Sequence, residues 1–329
     1  MATQFSIIIT CCNQRHYIRE AVESAFSQRY LHKEIIVVDD ASTDGSQQVL
    51  EQYGEKIKLA NCQSNQGASR ARNLGASMAT GDYLVFLDGD DVLLPWALDV
   101  YEGISHLKRP KLILGTLLYC KETIPIVDGA EIFHEIKVVD LEALVKKDRS
   151  YRGCASALVV DRQTFIDVKG WTNVFFPGEV DDLLIKLGCS GRTILICSPP
   201  TTGYRVHARN AVHQVPGFVQ MMHRIVRSEQ AGNYPGGPAR RFERYALIGG
   251  PVFFWAKSSI RAHCYGPPLK LLASGWPMVL AAIANRFWTM IKGRRPTETL
   301  GCLTDKVVLF CERCQRAGQP CPHGVLKAD

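Results

Sequence analysis

The chain has 329 residues, of which 46% are hydrophobic and 22% charged, with a net charge of +7. That is an ordinary globular composition, long enough for one large domain with additions. It excludes a small disulfide scaffold: eight of the twelve cysteines are scattered through the first 264 residues of a long chain, where reduced thiols fit better. The charge is uneven, since residues 216–329 hold 16 Lys/Arg against 6 Asp/Glu and residues 1–215 hold 23 against 26. A basic final third implies an anionic partner, such as a phospholipid surface or an acidic acceptor, or else a solvated basic face.

The N-terminus, MATQFSIIIT, has no basic n-region or long apolar stretch and reads as the start of a strand. No secretory signal is expected, and a reducing cytoplasm is the simplest compartment. FSIIIT (5–10), an amphipathic segment with Ile18, Val22 and Phe26, EIIVVD (34–39), a helix near 46–53, KIKLANC (56–62), a helix near 67–79 and YLVFLD (83–88) follow in order. Apolar strand runs alternating with helices predict an α/β fold with a mostly parallel sheet flanked by helices. Such sheets bind ligands beyond the carboxyl ends of their strands. Thr10 and Asn13, then Asp39, Asp40 and Ser42, then Asn65 and Gly67, then Asp88, Asp90 and Asp91 should gather there. Local roles compete, because Asn13, Ser42 and Asp44 are good helix caps and Gly67 is a good turn residue.

Further strands are expected at LILGTLLYC (112–120), SALVVD (156–161) and TILIC (193–197), with a helix after Asp161 and another across 181–187. Residues 120–150 read as a loop with a short helix. Past Pro216 come arginine-rich segments broken at YPGGP and YGPP, then an apolar stretch. This divides the chain into a catalytic domain, 1–215, and a mainly helical C-terminal extension, 216–329.

Asp88, Asp90 and Asp91 on one tight loop repel each other and lose hydration, so cations or hydrogen-bond donors must compensate. Oxygen ligands with few protein contacts suit Mg²⁺ or Mn²⁺, which take their remaining ligands from water and substrate phosphates. Capping a helix that starts around Pro95 would account for one of the three carboxylates only.

The segments "FSIIITCCNQRHYIREAVESAFSQ", "EIIVVDDASTDGS" and "NQGASRARNLGASMATGDYLVFLDGDD" together resemble the nucleotide-sugar-binding half of a family 2 glycosyltransferase with the GT-A fold. The resemblance implies that Asp39 or Asp40 hydrogen-bonds the uracil edge of a UDP-sugar and that Thr10 lines that pocket. It implies that Arg72 approaches the base or diphosphate, against a surface salt bridge on its own helix. Asp88 and Asp90 match the family's Asp-x-Asp, with Asp90 the direct metal ligand and Asp88 on ribose or metal-bound water. Transfer in this family inverts the anomeric centre in one displacement and needs a base for the acceptor hydroxyl. A metal bridging the phosphates stabilises the leaving group.

The family's acidic motif, Glu-Asp-x-Asp-Leu, has an imperfect match in GEVDDLL. Aligning Glu179 with the family Glu puts Val180 at the catalytic position, and a one-residue shift puts Asp181 there. Asp181 is expected as the base, Asp182 second and Glu179 third, a carboxylate at a helix N-terminus being suited to the task. GYRVHARNAVH resembles the family's Tyr-Arg-x-His segment, which implies His207 as a metal ligand or diphosphate contact and Arg205 as compensation for phosphate charge.

The stretch at 269–295 combines an apolar body with Trp276 and Trp288 and is bounded by Lys270, Arg286, Lys292, Arg294 and Arg295. Its uninterrupted run of about 14 residues falls short of the ~20 that span a bilayer, so peripheral contact by an interfacial helix is expected, or packing on the catalytic domain or in a dimer contact. Cys311, Cys314, Cys321 and His323, with Cys302 nearby, form either a structural Zn²⁺ site or a set of free tail thiols. The reading is an inverting transferase dependent on Mn²⁺ or Mg²⁺, moving sugar from a nucleotide-sugar donor to a saccharide or lipid-linked acceptor. Its setting is cell-envelope or surface polysaccharide synthesis on the cytoplasmic face of the membrane, with no nucleic acid expected. A nucleotidyltransferase would need a glycine-rich phosphate loop that CCNQRHY lacks. A noncatalytic zinc and nucleic-acid module on a degenerate transferase would leave the Asp88, Asp90, Arg72 and Asp181 set without a purpose.

Overall fold

The computed structural model describes residues 2–106, 109–121, 137–141, 154–173, 178–207 and 215–291. The first half runs β1 (Phe5–Cys11), α1 (Ile18–Phe26), β2 (Lys33–Asp39), α2 (Ser46–Glu51), β3 (Lys58–Asn61), α3 (Ala68–Met78), β4 (Tyr83–Asp88), β5 (Val92–Leu93) and α4 (Ala97–Ser105). Then come β6 (Leu112–Leu114), β7 (Leu117–Lys121), β8 (Lys137–Leu141), β9 (Leu158–Asp161), α5 (Arg162–Asp167), α6 (Glu179–Leu187), β10 (Thr193–Ser198) and β11 (Thr202–Val206). Three helices end the described chain: α7 (Val215–Gln230), α8 (Arg241–Arg261) and α9 (Gly266–Ile291).

The main sheet has the order β3-β2-β1-β4-β9-β6-β10-β8. β3, β2, β1 and β4 run parallel, while β9 enters reversed between β4 and β6. Alternation along the strands makes two cores. Phe5, Ile7 and Ile9 share one face with Ile35, Val37, Val85 and Leu87, packed against α1 and α4; Ile8, Ile36, Leu84 and Phe86 face the other way, against Phe165, Trp171 and Leu183. Burial on both faces is why these strands read as unbroken apolar runs, each such side chain contributing about 1.5–3 kcal/mol. Thr10 is in register with both Val38 and Asp88, so the carboxyl ends of β1, β2 and β4 open at one edge.

Three elements differ from expectation: within 120–150, read as a loop with a short helix, Lys137–Leu141 is the edge strand β8 beside β10. The run 112–120 is two strands: Leu114 pairs with Leu158 and Leu195 in the main sheet, whereas Leu117 pairs with Thr202 in a small sheet of order β5-β11-β7. The break falls at Gly115–Thr116, where Thr116 bonds the Ile196 carbonyl and accepts from the Thr201 amide instead of continuing the ladder. The helix expected from Pro95 starts at Ala97, behind the short strand β5, so neither Asp90 nor Asp91 caps it.

A third core joins α6 to the C-terminal helices: Ile185 packs with Met221 and Ile225 of α7, Ile248 and Val252 of α8, and Leu271 and Met278 of α9. Arg244 and Glu229 form a buried fork between α7 and α8, with contacts of 2.7 and 2.9 Å. At Gly249, a Cβ would stand 2.0 Å from the Met278 carbonyl oxygen, so α8 and α9 cross at a distance only glycine allows. Helix α9 runs for 26 residues, continuing through Asn285 and Arg286. Contrary to the shorter run read from the sequence, Gly266–Trp288 is long and apolar enough by length and composition to cross a membrane.

Candidate active site

At the open sheet edge lies a cavity of about 1360 Å³, bordered by Thr10, Gln14, Asp40, Arg72, Asp88, Asp90, Asp91, Glu179 and Asp181 among others. Three loops from the β1, β2 and β4 ends, the start of α3 and the start of α6 therefore converge on one space, as the strand-end rule requires.

The two carboxylates after β2 divide the work. Asp39 is buried and takes the Ser42 amide and hydroxyl, which shapes the turn, and it does not border the cavity. Asp40 borders it, and its two oxygens accept the Gln66 and Gly67 amides at 2.8 and 2.7 Å, fixing the entrance to α3. Of the pair, only Asp40 borders the cavity.

Arg72 is buried rather than part of a surface bridge on its own helix. Its guanidinium reaches Asp88 Oδ1 at 2.6 Å and Glu179 Oε1 at 2.9 Å, and lies 4.9 Å from the Trp171 ring centroid. Burial alone would lower its pKa, but Asp88 and Glu179 outweigh that and push it up, so the cation is permanent. It ties the end of β4 to the start of α6, joining the two halves of the site.

Asp90 Oδ2 lies 2.9 Å from His207 Nε2, and the His207 ring stacks on Tyr17 with centroids 5.7 Å apart. Burial and the Asp88 charge raise the Asp90 pKa, with His207 opposing. Asp88 Oδ1 takes both the Arg72 guanidinium and the Thr10 hydroxyl, and Asp88 Oδ2 accepts no hydrogen bond among the described residues. No group of three His, Cys, Asp or Glu side chains is close enough to hold a metal among the described residues; Asp90 and His207 pair, while Asp88 turns toward Arg72. The donors nevertheless fit a divalent cation: oxygen and imidazole suit Mn²⁺, and it would relieve the repulsion that raises Asp90. Asp91 is a strut. It accepts from Ser156 Oγ and the Arg205 amide, and burial followed by the charges of Asp90 and Asp88 holds its pKa well above the carboxylate range.

Two further residues expected at the site do not border the cavity. Arg205 does not face the cavity: its Nε bonds the Asp90 carbonyl, its NH2 pairs with Glu20 at 2.6 Å, and its guanidinium lies 4.6 Å from the Tyr17 ring centroid. These contacts brace α1 against the Asp90 loop. Asp182 does not border the cavity, and its carboxylate accepts from Thr172 Oγ1 and Tyr234 OH and pairs with Lys186. Glu179 is likewise committed to Arg72 and the Gly178 amide.

Asp181 alone of the three faces the cavity with no hydrogen bond or ion pair on its carboxylate among the described residues. Burial, then the charges of Glu179 and Asp182, push its pKa up to about 7. Gly178 makes this placement: with φ of +108° it turns the chain into α6, and its bare Cα accommodates Met221. A carboxylate poised near neutrality can take and hold a proton.

Sequence reasoning missed Gln14, which borders the cavity with Oε1 buried and unpartnered among the described residues. It missed Ser156, which donates to Asp91 and accepts the Asp88 amide. It also missed the far wall, built from α8 and α9; neither helix carries a motif that would have marked it. All eight described cysteines are free thiols. The Cys311, Cys314, Cys321 and His323 cluster, with Cys302, lies outside the described residues.

Residues 6–124 match the model described as glycosyl transferase family 2. The chain is similar to the UDP-Glc:alpha-D-GlcNAc-diphosphoundecaprenol beta-1,3-glucosyltransferase WfaP of Escherichia coli, at 30% identity over 210 residues, 62% of this chain and 77% of that one. The matches to the first three curated relatives span 38%, 63% and 38% of their lengths. Among solved structures, S. aureus TarS 1-349 in complex with UDP-GlcNAc superposes with a TM-score of 0.66 at 15% identity, covering 96% of this chain and 92% of that one. The mannosyltransferase PcManGT from Pyrobaculum calidifontis, in complex with GDP-Man and Mn²⁺, gives 0.50 at 18% identity, covering 89% and 85%. At these identities the structures share the fold.

Proposed function

The chain belongs to the family 2 glycosyltransferases, and from that premise we propose that it transfers a sugar from a UDP-sugar to the hydroxyl of a saccharide or lipid-linked acceptor, with inversion, in polysaccharide synthesis. The observation that carries the reading is one cavity holding both the Asp88–Asp90 pair and an unpaired Asp181 whose pKa burial pushes up to about 7. Its relatives by name use UDP-Glc or bind UDP-GlcNAc, which supports uridine at Asp40 and Thr10.

Asp90 and His207, with Asp88, are the residues that would hold Mn²⁺ or Mg²⁺, and a bound cation would neutralise charge on the departing diphosphate. PcManGT, by its description, was solved with Mn²⁺. Arg72 holds Asp88 and Glu179 in place, so their positions do not depend on the ligand. In the reaction, the acceptor oxygen bonds the anomeric carbon from the face opposite the diphosphate. The carbon–oxygen bond to phosphate breaks, its electron pair leaves with UDP, and the hydroxyl proton passes to Asp181. Keeping Asp181 without a partner leaves its lone pairs for that proton. A nucleic-acid module would need a basic floor; here six carboxylates face one buried arginine in the sheet-edge half of the cavity.

The test is release of sugar from a panel of UDP-, GDP- and dTDP-sugars by the purified chain, with Mn²⁺ or EDTA, on samples whose donor binding is measured in parallel. Metal-dependent binding and turnover of one UDP-sugar, lost in Asp90→Asn, is the expected result. Absence of metal-dependent binding to every donor would overturn the reading.

A further inference from the structure

The start of α6 is pinned on two sides, and one of the pins comes from the C-terminal third of the chain. On the sheet side Glu179 pairs with Arg72 at 2.9 Å. On the other side the buried Asp182 accepts from Tyr234 OH at 2.7 Å with one oxygen and from Thr172 Oγ1 at 2.6 Å with the other. Tyr234 lies in the turn between α7 and α8, 52 residues further along the chain. Met221 of α7 packs on Gly178, the residue that caps α6, so closely that a Cβ there would stand 2.2 Å from Met221 Cε.

Helix geometry turns these pins into aim. At about 100° per residue, Glu179 and Asp182 stand about 60° apart around α6, while Asp181 lies about 160° from the first and about 100° from the second. Fixing Glu179 against Arg72 and Asp182 against Tyr234 therefore sets the rotation of the first turn, and with it the direction in which Asp181 meets the cavity.

The C-terminal pin is itself braced. Arg244 donates from Nη1 to the carbonyls of Pro235 and Gly237, just past Tyr234, at 2.9 and 3.0 Å, and pairs with Glu229 at the end of α7. Tyr234 is buried, and that burial, followed by the charge of Asp182, pushes its pKa up, so the phenol stays a donor throughout the working pH range. It does not border the cavity, so it reaches the chemistry only through Asp182.

We propose that Tyr234 is a positioning residue for the transfer: through Asp182 it holds the first turn of α6 so that Asp181 faces the acceptor hydroxyl, which makes the α7–α8 segment a working part of the site. This rests on the reading that Asp181 is the base. Without the phenol hydroxyl one Asp182 oxygen is left buried without a donor, and the first turn rotates to bring it to water, carrying Asp181 off its line. A displacement of about 1 Å at a reacting group costs up to about a hundredfold in rate.

The test is a double-mutant cycle on the full chain, which needs no acceptor. The charged groups that act on Asp181 are Glu179 and Asp182 of its own helix, and Asp181→Asn should raise the Tm of the wild type more at pH 8 than at pH 5. In a Tyr234→Phe background that gain should shrink by about half or more, because a displaced Asp181 is better hydrated. Phe keeps the ring in the third core. Tyr83→Phe, which removes a buried hydroxyl bonded to the Pro110 carbonyl at the opposite end of β4, is the control for structural loss alone and should leave the gain unchanged. With Mn²⁺, kcat for release of sugar from UDP-glucose or UDP-GlcNAc should fall about tenfold or more in Tyr234→Phe, while UDP affinity by calorimetry stays within about twofold. An undiminished gain in Tyr234→Phe, wild-type kcat, or a matching loss of UDP affinity would overturn the proposal. Absence of the pH-dependent gain in the wild-type background would instead overturn the reading of Asp181 as the base.

Discussion

Replacing Asp181 by Asn should abolish transfer and, at the same time, stabilise the protein above neutral pH. Folding moves this carboxyl from its ordinary 3.8 to about 7, because burial and the neighbouring Glu179 and Asp182 charges disfavour its ionised form. In the unfolded chain the proton leaves near 3.8, so between that value and about 7 the native state binds more proton than the unfolded state and stability falls as pH rises. At about 1.36 kcal/mol per pKa unit the full penalty is about 4 kcal/mol, a ceiling that water in the open cavity lowers. Asn cannot ionise and escapes it. The Tm advantage of Asp181→Asn over wild type should therefore vanish below about pH 3.8, stand at roughly two-fifths of its full size at pH 5 and reach several degrees at pH 8, while kcat/KM of the wild type declines about tenfold per pH unit below about 7. Scanning calorimetry and a pH–rate profile on the same samples check both halves. A Tm difference independent of pH would refute the reasoning about Asp181, as would retained turnover in the Asn variant.

Arg72→Ala should cost about 3–5 kcal/mol, since it leaves Asp88 and the buried Glu179 without their cation, and urea denaturation would register it as a lower midpoint. Asp182→Asn should act on stability more than on chemistry, as Lys186 loses its counter-ion; the check is a lower Tm with Asp181-dependent turnover retained. Gly249→Val should separate α8 from α9 and lower stability by about 1–3 kcal/mol, read by thermal unfolding. Changing Trp276, Leu280 and Phe287 together to Glu should leave the fold intact, since all three are exposed, and abolish sedimentation with phosphatidylglycerol vesicles.

The sheet was legible because burial on both faces leaves no room for polar positions in β1, β2 and β4. The Asp88–Asp91 loop was legible because clustered charge at a strand end has few bland explanations. What could not be read is what depends on distant partners. Asp181 and Asp182 are adjacent in an acidic run, and only Thr172 and Tyr234, the latter 52 residues away, make one structural and leave the other open. Arg205 sits in a phosphate-like motif, yet Glu20, 185 residues earlier, claims its guanidinium. The break in LILGTLLYC depends on the Ile196 carbonyl and the Thr201 amide across the fold, which no local pattern announces.

The central claim is that Asp88 and Asp90 form the metal-dependent diphosphate end of a UDP-sugar site. Isothermal titration of UDP into the wild-type chain with Mn²⁺, into the same chain with EDTA, and into Asp90→Asn with Mn²⁺ tests it most directly. Saturable binding in the first titration, weakened by about a hundredfold in the other two, is predicted, since losing a desolvated charge contact costs about 2–3 kcal/mol. Equal affinity in all three, or no binding in any, would contradict the account.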